Sequence, residues 1–318
     1  MSTESDNLKK TFNNYFIEFT DRSCIMRKRS NWLLISERSL VMKKHVKIAI
    51  ISLLIALAAG LLWFANAMLG NPVSRTLATK AAKSYLSDRF SDTDYQMERI
   101  TYSFKDGRYH AFMTSPTSID GDFSVSFTML GEYHYDTYDS VLDGFNTARR
   151  LDSEYRELTD TILNDPTLPY DNTQIYSIMF GELEIYPREA FEDPNVTDVP
   201  DYALVQEELE LNQLYDLKAL GAKAGHLVLY VDNDTISVEE AARIMLDFRS
   251  MFDEADIPFY AIDFVLRYPR TEDGKSDDEE IRLNNFLYQD IYEEGLAERI
   301  EIAIDETAAY YAMLDQMK

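Results

Sequence analysis

An uncharged, largely apolar run extends from Ile48 to Leu69, 22 residues interrupted only by Ser52, Gly60 and Asn66. At about 1.5 Å per residue such a run spans roughly 33 Å as a helix, against a bilayer core of about 30 Å. The pattern predicts a transmembrane signal-anchor over residues 42–70. Past Asn71-Pro72 the apolar spacing becomes helical, and Val73, Leu77, Ala81, Tyr85 and Phe90 predict an amphipathic helix. The period then drops to two. Tyr95 to Phe104 and Arg108 to Thr114 predict strands around the Lys105-Asp106-Gly107 turn. Phe123, Val125, Phe127 and Met129 alternate with Ser124, Ser126 and Thr128 as a half-buried strand, and Tyr133 to Asp136 predicts a short fourth one. Val141, Phe145, Ala148, Leu151, Tyr155, Leu158 and Ile162 mark one long helix closing this module.

Asn164-Asp165-Pro166-Thr167-Leu168-Pro169 reads as a linker. Beyond it, Gln174 to Tyr186 predicts a strand or hairpin, Glu189 to Glu210 opens as an acidic loop, and Tyr202 to Leu220 predicts a helix stopped by Gly221. The unbroken Leu227 to Val231 has the character of a strand buried on both faces. Ser237 and Glu240 form a capping box for a helix with apolar face Val238, Ala241, Met245, Phe248 and Phe252. Ile257 to Tyr268 predicts a strand, Arg270 to Glu280 a charged loop, Ile281 to Ile291 a last strand and Leu296 to Met317 a terminal helix.

The fold class expected is α+β: an N-terminal transmembrane helix followed by two small α+β modules. The first is helix–antiparallel meander–helix over 71–168, and the second an acidic sandwich of ferredoxin-like type over 169–318. Residues 1–41 form a polar cytoplasmic tail or an upstream segment added by mis-annotation, because Met42-Lys43-Lys44 would itself make a good signal-anchor start.

Charge orients the chain. Eight Lys and Arg lie in residues 22–47 against four in the 20 residues after Leu69, which predicts a cytoplasmic N-terminus and an extracytoplasmic bulk at the cell membrane. Residues 1–47 carry a net charge of +5 and residues 71–318 a net charge of −30. Ala65-Asn66-Ala67 has the form of a cleavage site, so release after Ala67 is the alternative to an anchor, but the apolar run is longer than the roughly 7–15 residues of a signal peptide. A sequence pI near 4.5 excludes nucleic acid as a partner, since phosphate neutralisation needs clustered Lys and Arg. The lone Cys24 excludes a disulfide framework, a Cys-based zinc cage and an iron–sulfur cluster.

No His-Glu-x-x-His, Gly-x-Ser-x-Gly, Ser-x-x-Lys or Gly-x-x-x-x-Gly-Lys occurs. Thr76 to Lys80 is faintly similar to a sortase active-site stretch, but Lys80 stands where the nucleophilic Cys would be. His110, His134 and His226 show no metal-ligand spacing. Asp232-Asn233-Asp234, following an apolar strand, is the candidate divalent-cation site: an Asp-x-Asp there can clamp a diphosphate through a metal ion. The competing reading is a turn that leads into the helix capped by Ser237. Asp277 to Glu280 reads as a solvated acidic loop. No catalytic residue and no organic cofactor is assigned.

Asn71-Pro72-Val73-Ser74, Tyr85-Leu86, Tyr102 to Tyr109, Asp122 to Val125, Gly131 to Tyr138, Arg150-Leu151 and Glu154-Tyr155 together resemble the YfjL-like group of membrane-anchored proteins from Firmicutes. The likeness is good over residues 42–165 and looser beyond. It implies a single-pass bacterial surface protein and brings no catalytic residues with it. The expected function is non-catalytic binding or scaffolding at the envelope, with an envelope protein or wall component as partner. The alternative is a metal-dependent envelope enzyme using Asp232 and Asp234.

Overall fold

The computed structural model describes residues 43–170, 178–194, 196, 199–269 and 279–316. Expectations for residues 1–42, for Gln174 to Ser177, for Arg270 to Asp278 and for Met317 lie outside these. The chain divides into two compact units, one of Met1–Pro72 with Ser103–Gly107 and one of Val73–Tyr102 with Arg108–Lys318.

In the first unit, helix α1 (43–69) is exposed throughout its apolar window and is long and apolar enough to cross a membrane. It ends at Gly70, whose left-handed φ of 69° lets its N–H return to Asn66 O at 3.0 Å.

The second unit is α+β with two four-stranded sheets. Its first layer is helix α2 (Pro72–Arg89) on the meander β1 (Gln96–Ser103), β2 (Arg108–Thr114), β3 (Phe123–Phe127) and β4 (Tyr133–Asp136). The face of α2 differs from expectation. Ser74, Ala78, Ala82 and Tyr85 are buried, whereas Val73 and Leu77 are exposed. Ala78, Ala82 and Tyr85 share the core of the meander, and Leu77 lies off that buried stripe. On β3, Ser126 is fully buried rather than half-exposed, beneath its register partners His110 and Tyr135.

The expected long helix is broken into α3 (Asp139–Leu142) and α4 (Phe145–Leu163). Gly144 supplies the break with φ 81°, and a side chain there would meet Gln206 O. The apolar face of α4 turns away from the meander. Leu151 and Tyr155 pack with Leu183 and Leu220, and Leu163 enters the core of the second sheet. The polar start of α4 meets the first layer instead: Asn146 Nδ2 donates to Asp120 O and Asp122 O at 2.9 and 2.7 Å.

The second sheet has the order β10-β9-β8-β5, formed by β5 (Met179–Leu183), β8 (Gly225–Asp232), β9 (Ala261–Arg267) and β10 (Glu280–Leu287). A small parallel pair, β6 (Ile185–Tyr186) and β7 (Leu204–Val205), and the short α5 (Arg188–Glu192) lie between β5 and β8 in sequence. Strands β8 and β9 are parallel and directly adjacent, joined by α7 (Val238–Glu254). A ferredoxin-like split βαβ would place another strand between them, so the sheet departs from that expectation. Ala241, Ile244, Met245, Phe248 and Phe252 of α7 fill the core with Leu227, Leu229, Ile262 and Phe264. The segment expected as one helix from Tyr202 to Leu220 instead holds β7, a 3-10 turn at Gln206–Glu208 and α6 (Leu217–Ala224). Gly221 lies inside α6, because a Cβ there would collide with the Tyr155 ring and Pro258 O. The terminal helix α8 (Leu296–Gln316) packs against β10 and α7.

Candidate functional site

Strand register assigns every residue of the second sheet to a face. Leu227, Leu229 and Val231 point to the core with α7, so His226, Val228, Tyr230 and Asp232 occupy the opposite face. Half-burial of Val228 and Tyr230 shows that this face is only partly covered, unlike the both-face burial expected for β8.

Asp232 lies at one end of that face. Its side chain is 3% exposed, and Oδ1 accepts from Nε of its register partner Arg267 at 2.8 Å. Asp232 Oδ2 is buried without a hydrogen bond. Asp234 is exposed and lies past the strand. Between them Asn233 builds the turn: its Oδ1 accepts Thr235 N–H at 3.2 Å, and its Nδ2 donates to Glu240 at 2.7 Å. Ser237 Oγ accepts Glu240 N–H at 3.2 Å and opens α7 as its capping residue. Among the described residues no group of three or more His, Cys, Asp or Glu is disposed to hold a metal ion.

The other end of the face holds a cluster that sequence spacing does not reveal. His226 is 4% exposed, at the start of β8. Its Nδ1 lies 2.9 Å from Glu184 Oε1 and 2.8 Å from Tyr202 Oη. Its Nε2 lies 3.2 Å from Asp263 Oδ1 on β9. The Nε2–H is not in line with that oxygen, so Asp263 supplies opposite charge at short range without completing a hydrogen bond. Asp263 Oδ1 instead accepts Asn285 N–H at 2.7 Å, and Asn285 Oδ1 accepts the Tyr202 hydroxyl at 2.6 Å. Asn285 holds a left-handed φ of 50° in the irregular stretch of β10 between Leu283 and Phe286.

The surroundings of the ring favour its charged form. The single Tyr202 proton goes to Asn285, leaving its oxygen an acceptor toward Nδ1. Glu184 and Asp263 set a carboxylate beside each nitrogen, an arrangement that favours the imidazolium over the neutral ring. Burial alone would lower the His226 pKa, but the Asp263 and Glu184 carboxylates beside its two nitrogens prevail and raise it to about 9. Burial and the neighbouring Glu184 hold the Glu182 carboxyl above its usual range.

His226, Glu182, Glu184, Asp263 and Asn285 line a groove of about 510 Å³, within the roughly 300–1,000 Å³ of ordinary ligand sites. Glu182, Glu184, Asp263 and Glu306 contribute carboxylates, and Tyr186, Tyr310 and Tyr311 contribute rings. Among the described residues no Lys or Arg lines it, and His226 is the one cation there. His110 and His134 lie on the meander, beside Tyr135, away from this cluster in the fold.

Residues 42–137 match the family model of the YfjL-like N-terminal domain, and residues 154–301 match that of the YfjL-like C-terminal domain. Both the groove cluster and the Asp232–Arg267 pair fall within the second match. No curated protein and no solved structure matches the chain.

Proposed function

From the premise that the chain belongs to the YfjL-like family, we propose that it is a single-pass, membrane-anchored binding module at the bacterial envelope, and that its second-sheet groove accepts a cationic group of its partner. Helix α1 is the anchor. The excess of Lys and Arg before it keeps the N-terminus cytoplasmic and the acidic bulk outside. The observation that carries the binding role is the groove itself, where four carboxylates face one imidazolium in a partly covered cavity. Such a cavity concentrates positive charge, and the net −30 of residues 71–318 draws the same partners in from a distance.

General-base catalysis by His226 does not fit the groove's geometry. His226 is held protonated by two carboxylates, so it cannot act as a base near neutral pH. A metal-dependent enzyme at Asp232 and Asp234 would require Asp232 to leave Arg267, and a third ligand besides.

Calorimetry on the full chain in detergent micelles tests the reading. Hexalysine should bind, hexaglutamate should not, and Glu182→Gln with Glu306→Gln should weaken the hexalysine complex. Equal behaviour of the two peptides would overturn the cationic preference. The anchor is tested separately by protease added to intact cells, which should remove residues 71–318 and spare a tag at the N-terminus.

A further inference from the structure

Tight turns are ordinarily built from polar residues and glycine, but the one joining β3 to β4 carries Met129 and Leu130 at its apex. The turn is firmly tied. Thr128 N–H donates to Glu132 O and Gly131 N–H to Thr128 O, each at 2.9 Å. Thr128 Oγ1 accepts the N–H groups of Leu130 and Glu132 at 3.3 and 3.2 Å. Gly131 completes it at a φ of 80°, and Leu130 is held outward, 71% exposed.

The apex stands on α2. A Cβ at Gly131 would lie 2.9 Å from Leu77 O and 3.2 Å from Leu77 Cβ, so the turn touches the start of the helix. Leu77 is 40% exposed and Val73, one turn earlier, 71%. At helical spacing Val73, Leu77 and Lys80 share the face turned away from the buried Ala78, Ala82 and Tyr85. Leu130, Leu77 and Val73 thus form one exposed apolar patch, the mark of a contact surface. Charge beside the patch is the reverse of the unit as a whole. Residues 71–83 contain Arg75, Lys80 and Lys83 and no carboxylate, within a region, residues 71–318, of net charge −30. Arg75 Nη2 turns back to donate to Ile100 O at 3.3 Å, whereas Lys80 and Lys83 are exposed. The turn's own carboxylate, Glu132, is at its base and not at its apex.

Connectivity names the surface that the patch meets. Val73 is four residues past Leu69, the end of the apolar run, which at about 3.6 Å per residue is at most roughly 14 Å of chain. A headgroup layer is itself roughly 5–8 Å deep, so the patch begins within reach of any bilayer that α1 spans. Aliphatic groups flanked by lysines suit that layer: the apolar groups enter the headgroup–acyl boundary and the ammoniums meet lipid phosphates. The same phosphates repel the acidic remainder, which leaves this as the side that meets an anionic surface.

We infer that the outer face of α2 and the apex of the β3–β4 turn form a lipid-contact surface, with Lys80 and Lys83 on anionic headgroups and Leu130 inserted at the acyl boundary. This inference rests on the reading of α1 as a membrane anchor and adds a second, peripheral contact to it.

Nitroxide labelling of the full chain in nanodiscs of mixed phosphatidylglycerol and phosphatidylcholine tests both. A Cys24→Ser background leaves each introduced cysteine as the only one. Labels are placed by Leu57→Cys in α1, by Leu130→Cys and by Leu214→Cys. Leu214, 82% exposed, is close in sequence to Asn212, which bonds the Ser118–Asp120 loop at the other end of β3. Collisions with oxygen, which partitions into lipid, are compared with collisions with a water-soluble nickel chelate. Oxygen should dominate at residues 57 and 130, and the chelate at residue 214. In discs of phosphatidylcholine alone the oxygen-to-chelate ratio at residue 130 should fall, and an unchanged ratio would overturn the role given to Lys80 and Lys83. Chelate dominance at residue 130 with oxygen dominant at residue 57 would overturn the lipid contact and leave the anchor standing. Chelate dominance at both would overturn both. A label at residue 130 shielded from both reagents would put protein there, a second copy if its spectrum is dipolar-broadened, and would likewise overturn the lipid contact.

Discussion

The carboxylate of Asp120 and the guanidinium of Arg150 meet side-on across the seam between the meander and α4. Nε contacts Oδ1 at 2.7 Å and Nη2 contacts Oδ2 at 3.2 Å, with the Asp120 side chain fully buried. Thr147 Oγ1 and Asn212 N–H complete the shell of Asp120, each at 3.0 Å. Burial works against the ionised form, but Arg150, Asn212 and Thr147 together keep its carboxyl below the usual range. Arg150→Met leaves this charge buried with its main partner gone. The expected loss is about 3–5 kcal/mol in urea unfolding, with Asp120→Asn in the same range. A loss below about 1 kcal/mol would mean that the pair contributes only as a surface bridge does.

His226 makes stability depend on alkaline pH. Its folded pKa, about 9, is raised above the unfolded value of 6.5, so its contribution is complete below pH 6.5 and is lost as pH rises through about 9. Stability should therefore decline across that window by as much as about 3 kcal/mol. Urea midpoints at intervals from pH 6 to pH 9.5 would show the decline. The same series on His226→Gln should be flat there, and a decline persisting in that variant would assign it to another group.

Gly181 and Thr159 form a close pairing between β5 and α4. A Cβ at residue 181 would stand 2.6 Å from both Thr159 Cγ2 and Thr159 Oγ1. Gly181→Ala should destabilise by about 1–3 kcal/mol through overpacking. Thr159→Ala alone should also destabilise, yet combined with Gly181→Ala it should return part of the loss, because it removes two of the three colliding atoms. Additive losses in thermal unfolding would show that the clash is relieved by backbone movement instead.

Asp232 and Asp234 are expected to behave unalike even with chelator present. Asp232→Asn removes the charge that Arg267 meets at 2.8 Å in a buried setting and should cost several kcal/mol. Asp234→Asn, at an exposed position, should stay within about 0.5 kcal/mol of the parent. Equal effects that appear only with magnesium, calcium or manganese would return both residues to a shared ion.

The residues that sequence reading placed well are those governed by their neighbours in the chain. Arg108 to Thr114 and Tyr133 to Asp136 are strands with the expected bounds, and Ser237 caps α7. Only half of the expected capping box forms, because the Glu240 carboxylate is drawn to Arg243 and Asn233 instead. The face of α2 differs because Ala78 and Ala82, not Leu77, enter the meander core, and which stripe of a helix is covered depends on the partner sheet. His226 was illegible for the same reason: Glu184, Tyr202 and Asp263 reach it from three separate segments, and Asn285 holds the latter two from a fourth. A trace was present in the strand Ala261–Arg267, where Asp263 is the lone carboxylate among apolar neighbours. A charge in such a position implies a buried partner, but the pattern cannot name it.

Asn212 Oδ1 accepts from Ser118 Oγ and from the N–H groups of Ile119 and Asp120, and Asn212 adopts a left-handed φ of 65° to do so. These partners are separated by more than ninety residues of chain. During synthesis the meander therefore emerges with this loop unsealed, and it stays so until residue 212 has followed. The first layer is finished by a residue of the second, so the order of emergence and the order of completion run in opposite directions along this chain.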